Sequence, residues 1–171
     1  MPLSDFISCP HNLAVNRQTR MLADLNLVNC YNTTAMDHDK RDKILLASAK
    51  ANLEKMAYFG LTEEQEISQY LFEETFNLRF KSDFDQLDKS DTHSGHSIDK
   101  LDDAVIDKIK NLNKLDLELY KFAKQLLKER FDAIKNEDDT YEEHIKLHKD
   151  KEFSWEDIED EDYDDQTNVI N

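Results

Sequence analysis

The stretch "MAYFGLTEEQ", residues 56–65, decides how this chain is read. Before it, Leu45, Ala49 and Leu53 (or Asn52) and Met56 recur at helical spacing, which predicts a helix over 37–55. Asp37 is placed to cap that helix, and Asp39 and Asp42 suit the positive end of its dipole. At Met56 the period changes. Met56 to Leu61 is a short apolar run with an aromatic centre, too short for a helix of its own and read as a buried strand. Gly60 ends it, and Thr62-Glu63-Glu64-Gln65 reads as a capping box opening a helix with Ile67, Tyr70, Leu71 and Thr75 inward. Strand, tight turn and helix make half of a βα unit. Nothing else in the chain reads as a strand to pair with it.

Working outward, only two glycines and two prolines in 171 residues point to a mostly helical chain. Residues 12–24 read as one helix, with Leu13, Asn16, Arg17 and Arg20 alternating against Val15, Met21 and Leu22. Residues 77–97 read as a polar loop holding Phe80 and Phe84. Ser97 is placed to cap a helix carrying Leu101, Val105, Ile109 and Leu112. Asn113 breaks or caps it, and a long helix follows to about Lys135 with Leu115, Leu119, Phe122, Leu126 and Ala133 on one face. The last two helices are expected to pack as a hairpin.

Charge divides the chain. Beyond Lys135 stand 15 acidic and 3 basic residues, which carry −12 of the formal net charge of −16. We therefore divide the sequence into a body, 1–135, and an acidic tail, 136–171, expected to be disordered because it buries too little apolar surface to offset its ordering entropy. An acidic balance argues against nucleic acid as a partner. No run approaches the roughly 20 apolar residues that cross a bilayer. "MPLSDFISCP" lacks the basic and apolar regions of a secretory signal, so the chain as written is expected to have no leader.

Chemistry is sparse at the level of motifs. Gly60 and Gly95 stand alone, so no glycine loop cradles a phosphate. His144 and His148 lie four apart but have no well-spaced third ligand, and His93 and His96, near Asp91, read as part of a Ser/Gly/His loop; no metal site is expected. Arg17 and Arg20, one helical turn apart, suit a sulfate or carboxylate, or else a surface pairing with Asp24 or a neighbouring acid. In the 77–97 loop, Lys89 and Ser90 are candidate phosphate contacts; Phe80 and Phe84 either stack on a flat ring or tuck into the core. Asn32-Thr33-Thr34 is an N-glycosylation sequon. Cys9 and Cys30 are either one disulfide or two buried thiols.

Long strings add what short motifs do not. "CPHNLAVNRQTRMLADLNLVNCYN" (9–32), "ASAKANLEKMAYFGLTEEQEISQYLFEETFNLRF" (47–80) and "LNKLDLELYKFAKQLLKERF" (112–131) resemble, in register, the heparan sulfate 6-O-sulfotransferases. The resemblance runs from about Leu3 to Phe131. It implies an α/β, P-loop-like sulfotransferase fold of which this chain is the mostly helical C-terminal part with about one strand, 56–61. The implied reaction moves a sulfuryl group from 3′-phosphoadenosine 5′-phosphosulfate (PAPS) to the 6-hydroxyl of glucosamine in heparan sulfate. It also implies a luminal place at the Golgi membrane, in which the glycosylation sequon at Asn32 and the disulfide candidates Cys9 and Cys30, paired with each other or with partners outside this chain, make sense.

By that resemblance the family's phosphosulfate loop and its catalytic histidine, the base, lie upstream of Met1. Met1 itself falls where family members have a cysteine. No residue here is assigned as catalytic, and the chain as written is expected to be inactive alone. Phe84 is carried over as a cofactor contact, although "KSD" at 81–83 lacks the family's Arg-Pro. Arg17 and Arg20 are the candidates for binding the polysaccharide. The alternative is a non-catalytic helical interaction module, working through its acidic tail or by pairing with a full-length relative.

Overall fold

Asp37 does what its position promises. In the computed structural model, which describes residues 2–80, 82–84 and 101–143, its carboxylate accepts from the N–H groups of Asp39 (3.1 Å) and Lys40 (3.2 Å). That starts a helix at His38. Among the described residues six helices follow one another: α1 (Leu3–Ser8), α2 (Arg17–Leu22), α3 (His38–Lys55), α4 (Gln65–Phe76), α5 (Asp103–Leu112) and α6 (Lys114–Glu137), with a 3₁₀ turn at Leu25–Val28 between α2 and α3.

The core lies between α3 and α6. Leu45, Ala49 and Leu53 of α3 are buried, as are Leu115, Leu119, Ala123 and Leu127 of α6. Ala49 and Ala123 share one cluster with Leu53 and Leu119, and small residues at the crossing let two helix axes approach closely. Helix α2 packs on both α3 and α6, and α4 packs on α6. Lys114 and Asp42 form an ion pair at 2.9 Å that ties the first turn of α6 to α3, and the carboxylate holds the Lys114 ammonium above its usual range.

Several expectations change on contact with the structure. Residues 56–61 are not a strand, and no strand forms among the described residues. The run is apolar because its side chains serve three different surfaces. Phe59 and Leu61 pack on the core cluster, Tyr58 meets Phe72 edge-on at 5.0 Å, and Met56 is exposed. Arg130 lies over the Phe59 ring at 5.2 Å and donates to the Glu54 carbonyl at 2.8 Å, pinning the segment to α6. In place of a neighbouring strand, the Ser68 hydroxyl serves the backbone of Leu61. It accepts from the N–H at 2.9 Å and donates to the carbonyl at 3.1 Å.

The capping box does not form either. The Thr62 hydroxyl donates to Glu63, the Glu64 N–H closes a turn on the Leu61 carbonyl, and α4 begins only at Gln65. Its buried face holds Tyr70 and Leu71 as expected, together with Ser68, Gln69 and Glu73, whereas Ile67 is half-buried and Thr75 is exposed.

The helix expected over 12–24 shrinks to Arg17–Leu22. Asn16 sits in the left-handed region (φ 49°), which a helix interior does not tolerate but asparagine does. Asn113 ends α5 and starts α6 directly, so the two helices share a joint and have no loop with which to form an antiparallel hairpin. Ser97, proposed as a cap, lies outside the described residues. Past the expected boundary at 135, α6 continues to Glu137. Tyr70 donates to Asp138 at 2.8 Å and meets the Tyr141 ring edge-on at 5.1 Å, so the start of the acidic segment is fastened to α4. Residues 144–171 lie outside the described residues.

Candidate functional site

Helix α2 is six residues long, too short to be stable alone, and its N-terminal N–H groups need acceptors from elsewhere. Asp116, in the first turn of α6, supplies them. Its carboxylate accepts from Gln18 N–H (3.1 Å), Thr19 N–H (2.7 Å) and the Thr19 hydroxyl (2.7 Å). The service is returned. The Asn16 side-chain oxygen accepts from Leu115 N–H (3.0 Å) and Asp116 N–H (3.3 Å), while Asn16 N–H donates to Asn113 Oδ1 (3.0 Å). Each helix is thus capped by a residue of the other. The pair fixes where Arg17 and Arg20 stand.

Arg17, Arg20, Leu13, Ala14, Met21 and Tyr31 line a cleft of about 540 Å³. The guanidinium of Arg20 lies 6.0 Å from the centre of the Tyr31 ring and donates to the Leu13 carbonyl. Its Nε is buried and has no hydrogen-bond partner among the described residues. Neither arginine pairs with Asp24, whose carboxylate is taken by Asn26 N–H and Nδ2, both at 3.0 Å. The cleft thus sets two cations beside an aromatic face and apolar walls, a surface whose chemistry suits an anion.

Tyr31 escaped the sequence reading, because what brings it to the cleft is Arg41. That side chain is buried although it stands among Asp39, Lys40 and Asp42. It donates to the carbonyls of Val28 (2.5 Å), Cys30 and Asn32 (3.4 Å), and so grips a loop whose Asn29 (φ 57°) and Cys30 (φ 53°) are both left-handed. Within the mixed-charge run at 39–43 nothing in the sequence marks Arg41 as the buried member, and a charged residue is seldom fully buried unless it is paired.

Asn32 is exposed, and its side-chain oxygen accepts from Thr34 N–H (3.1 Å) and the Thr34 hydroxyl (2.7 Å). Cys9 and Cys30 are free and exposed, neither bonded to each other nor buried as thiols.

A second region lies at the end of α4. Phe80 and Phe84 are partly exposed rather than tucked away, with ring centres 4.7 Å apart, and Phe80 continues to Phe72 at 5.6 Å. Phe84 N–H donates to Gln69 at 2.6 Å and Phe80 N–H to Glu73 at 2.7 Å. Lys89, Ser90, Gly95 and the four histidines 93, 96, 144 and 148 lie outside the described residues. So does Met1, the point ahead of which the family's catalytic base is expected, and no described residue is assigned that role. Among the described residues no group of three or more His, Cys, Asp and Glu is placed to hold a metal ion. No helix among them is long and apolar enough to cross a membrane.

The sulfotransferase family model matches residues 2–123, most of the chain. The chain belongs to the sulfotransferase family. Within that family it is similar to heparan-sulfate 6-O-sulfotransferase 3-B of Danio rerio, at 51% identity over 133 residues, which cover 78% of this chain and 31% of the relative. It is 47% identical over 137 residues to heparan-sulfate 6-O-sulfotransferase 2 of Homo sapiens, covering 80% of this chain and 22% of that protein. To heparan-sulfate 6-O-sulfotransferase 1 of Homo sapiens it is 50% identical over 129 residues, with coverages of 75% and 30%. The resemblance read from the three long strings is borne out. This sulfotransferase-family chain thus spans a third or less of the length of the curated relatives it matches.

Proposed function

We propose that this chain is the C-terminal, mostly helical part of an α/β, P-loop-like heparan sulfate 6-O-sulfotransferase. It acts with PAPS as the donor and the 6-hydroxyl of glucosamine as the acceptor. The observation that carries the reading is identity of 47–51%, maintained over 129–137 residues, with proteins named for that activity. The geometry supplies a part for each of two ligands.

On the acceptor side, Arg17 and Arg20 would bind sulfate or carboxylate groups of the polysaccharide, with the Tyr31 ring against a sugar face. On the donor side, the Phe84 ring is 38% exposed on a clamped backbone, which leaves aromatic area for a flat base. The chemistry of these residues fits the base end of PAPS; Lys89 and Ser90 are the candidates for its phosphates. PAPS supplies the sulfuryl group when bound. The residues described here bind and orient; none is assigned to move the acceptor proton. We place the protein in the Golgi lumen, a location supported by an exposed sequon at Asn32.

The test is a chimera in which residues 3–131 replace the matching segment of the human enzyme 1. Assay is by disaccharide analysis of heparan sulfate after incubation with PAPS. The proposal expects 6-O-sulfated glucosamine from the chimera and none from the 171-residue chain alone. A folded chimera that transfers no sulfate, or transfers it to another position, defeats it.

A further inference from the structure

Helix α4 buries two polar side chains one turn apart, Gln69 at 3% exposure and Glu73 at 0%. Burying an amide and a carboxylate is costly unless each has partners, and an apolar pair would pack α4 on its neighbours without that cost. Both side chains are turned to the same short loop. Glu73 Oε1 accepts from Phe80 N–H at 2.7 Å. Gln69 Oε1 accepts from Phe84 N–H at 2.6 Å, and Gln69 Nε2 donates to the Ser82 carbonyl at 3.0 Å. Gln69 Nε2 also donates to Glu73 Oε1 at 3.3 Å, which links the two into one unit. The backbone is therefore held at 80, 82 and 84 by side chains belonging to a packed helix. Leu78 N–H, bonded to the Glu73 carbonyl at 3.0 Å, fixes the loop's departure from the helix end.

From this arrangement we infer that Gln69 and Glu73 are positioning residues for the donor nucleotide. Acting through the loop backbone, they hold the partly exposed Phe84 ring ready to stack on the base. The inference rests on the donor reading given under Proposed function. It explains why polar groups occupy the inner face of α4. It also explains why Phe80 and Phe84 stay on the surface, packed against each other, instead of collapsing into the core: their backbone positions are dictated from below. The tilted ring contacts from Phe72 through Phe80 to Phe84 continue the same ordering through side chains.

Two readouts test it. Amide hydrogen exchange at Phe80 and Phe84 of the 171-residue chain reports the clamp. Calorimetric titration with adenosine 3′,5′-bisphosphate of the chimera described above, whose donor pocket is complete, reports the use to which it is put. Glu73→Leu removes the acceptor for Phe80. Gln69→Glu removes the donor to Ser82 and sets a second carboxylate against Glu73. Both are expected to speed exchange at the two amides and to weaken nucleotide binding about tenfold, the scale of losing one or two hydrogen bonds. Glu73→Gln keeps an acceptor oxygen for Phe80 N–H and should stay within about twofold of the wild type on the same scale.

Because the role is exerted through Phe84, Gln69→Glu should cost no further nucleotide affinity in a Phe84→Ala background; a purely structural role would predict additive losses. Should Glu73→Leu fail to fold, Gln69→Glu and Glu73→Gln carry the test. Unchanged exchange at Phe80 and Phe84 overturns the clamp. Faster exchange with undiminished binding overturns the positioning role. A folded chimera in which Phe84→Ala costs no nucleotide affinity overturns the donor reading and the positioning role together, and the exchange data distinguish that outcome from failure of the clamp itself.

Discussion

Replacing Asp116 by alanine should unravel the start of α2 and leave α6 standing. The carboxylate accepts three hydrogen bonds, from Gln18 N–H, Thr19 N–H and the Thr19 hydroxyl, and Thr19 is completely buried. Loss of a capping side chain to alanine costs typically about 1 kcal/mol, up to about 2. Here the deletion also strands the N–H and the hydroxyl of a buried residue, at about 1–3 kcal/mol for an unsatisfied group. The two terms overlap, since the Thr19 N–H is counted in both, so we expect a loss of about 3 kcal/mol. Against a domain stability of roughly 5–15 kcal/mol, that is readily measured by urea titration followed by far-UV ellipticity. Asp116→Asn is the informative companion. Both bonds from Thr19 end on the same oxygen, Oδ1, which an amide retains; only the Gln18 bond to Oδ2 is lost. It should cost about 1 kcal/mol, the size of one net hydrogen bond. Thr19→Val combined with Asp116→Ala should be less destabilising than the sum of the two, by about 1 kcal/mol, because both remove the same bond. If Asp116→Ala costs no more than Asp116→Asn, or if the double variant is strictly additive, the reciprocal capping does not hold α2.

Three other expectations follow from features described above. Arg41→Lys should lower stability by about 2 kcal/mol, because a single ammonium cannot serve the spread of carbonyls at Val28, Cys30 and Asn32 that a guanidinium fork reaches; thermal melting checks this, and a loss near zero refutes it. The hydroxyl of Tyr70 is pushed well above the usual tyrosine range, first by burial and then by its bond to Asp138. The unfolded chain therefore releases that proton near pH 10 while the folded chain keeps it, so the tyrosine's contribution is intact below that pH and declines as the pH rises past it. Tyr70→Phe should lower stability at neutral pH yet flatten the loss above pH 10, and an unaltered alkaline slope in urea titrations contradicts the assignment. Arg20→Ala and Tyr31→Ala should each weaken binding of the full chain to immobilised heparin, with only the arginine variant reducing the salt dependence; equal salt slopes for both would count against Tyr31 as a stacking surface.

Legibility in the sequence followed the range of the interactions. Helix α3 could be read residue by residue because Asp37 caps it locally and Leu45, Ala49 and Leu53 repeat within it. The Asn113 break and the start of the inward face of α6, Leu115 and Leu119, were legible for the same reason; farther along, Ala123 and Leu127 are the buried residues, while Phe122 and Leu126 are half-buried and Ala133 is exposed. The segment 56–61 was misread because its apolar content is real but its backbone partner is one serine hydroxyl, from a residue that looked like helix surface. Asn16 and Asp116 could not be paired from sequence, since nothing local marks an acceptor that serves a helix about a hundred residues away. At the candidate site, the spacing of Arg17 and Arg20 was visible, whereas Tyr31 required a loop fold imposed by Arg41. Phe84 was reached by resemblance; its support by Gln69 and Glu73 emerged only when the buried face of α4 could be seen.

The mutual capping of α2 and α6 bears on how the molecule is made. Bonds joining positions 97–100 residues apart cannot form until the later partner has left the ribosome. At translation speeds of about 5–20 residues per second, residues 16–20 wait roughly 5–20 s for those partners, bearing an uncapped short helix and a pair of cations. During that interval the arginine cleft does not exist, so any acidic glycan or chaperone met by the nascent chain encounters an unformed surface. Formation of that surface therefore waits on residues 113–116, made about a hundred positions after its first arginine.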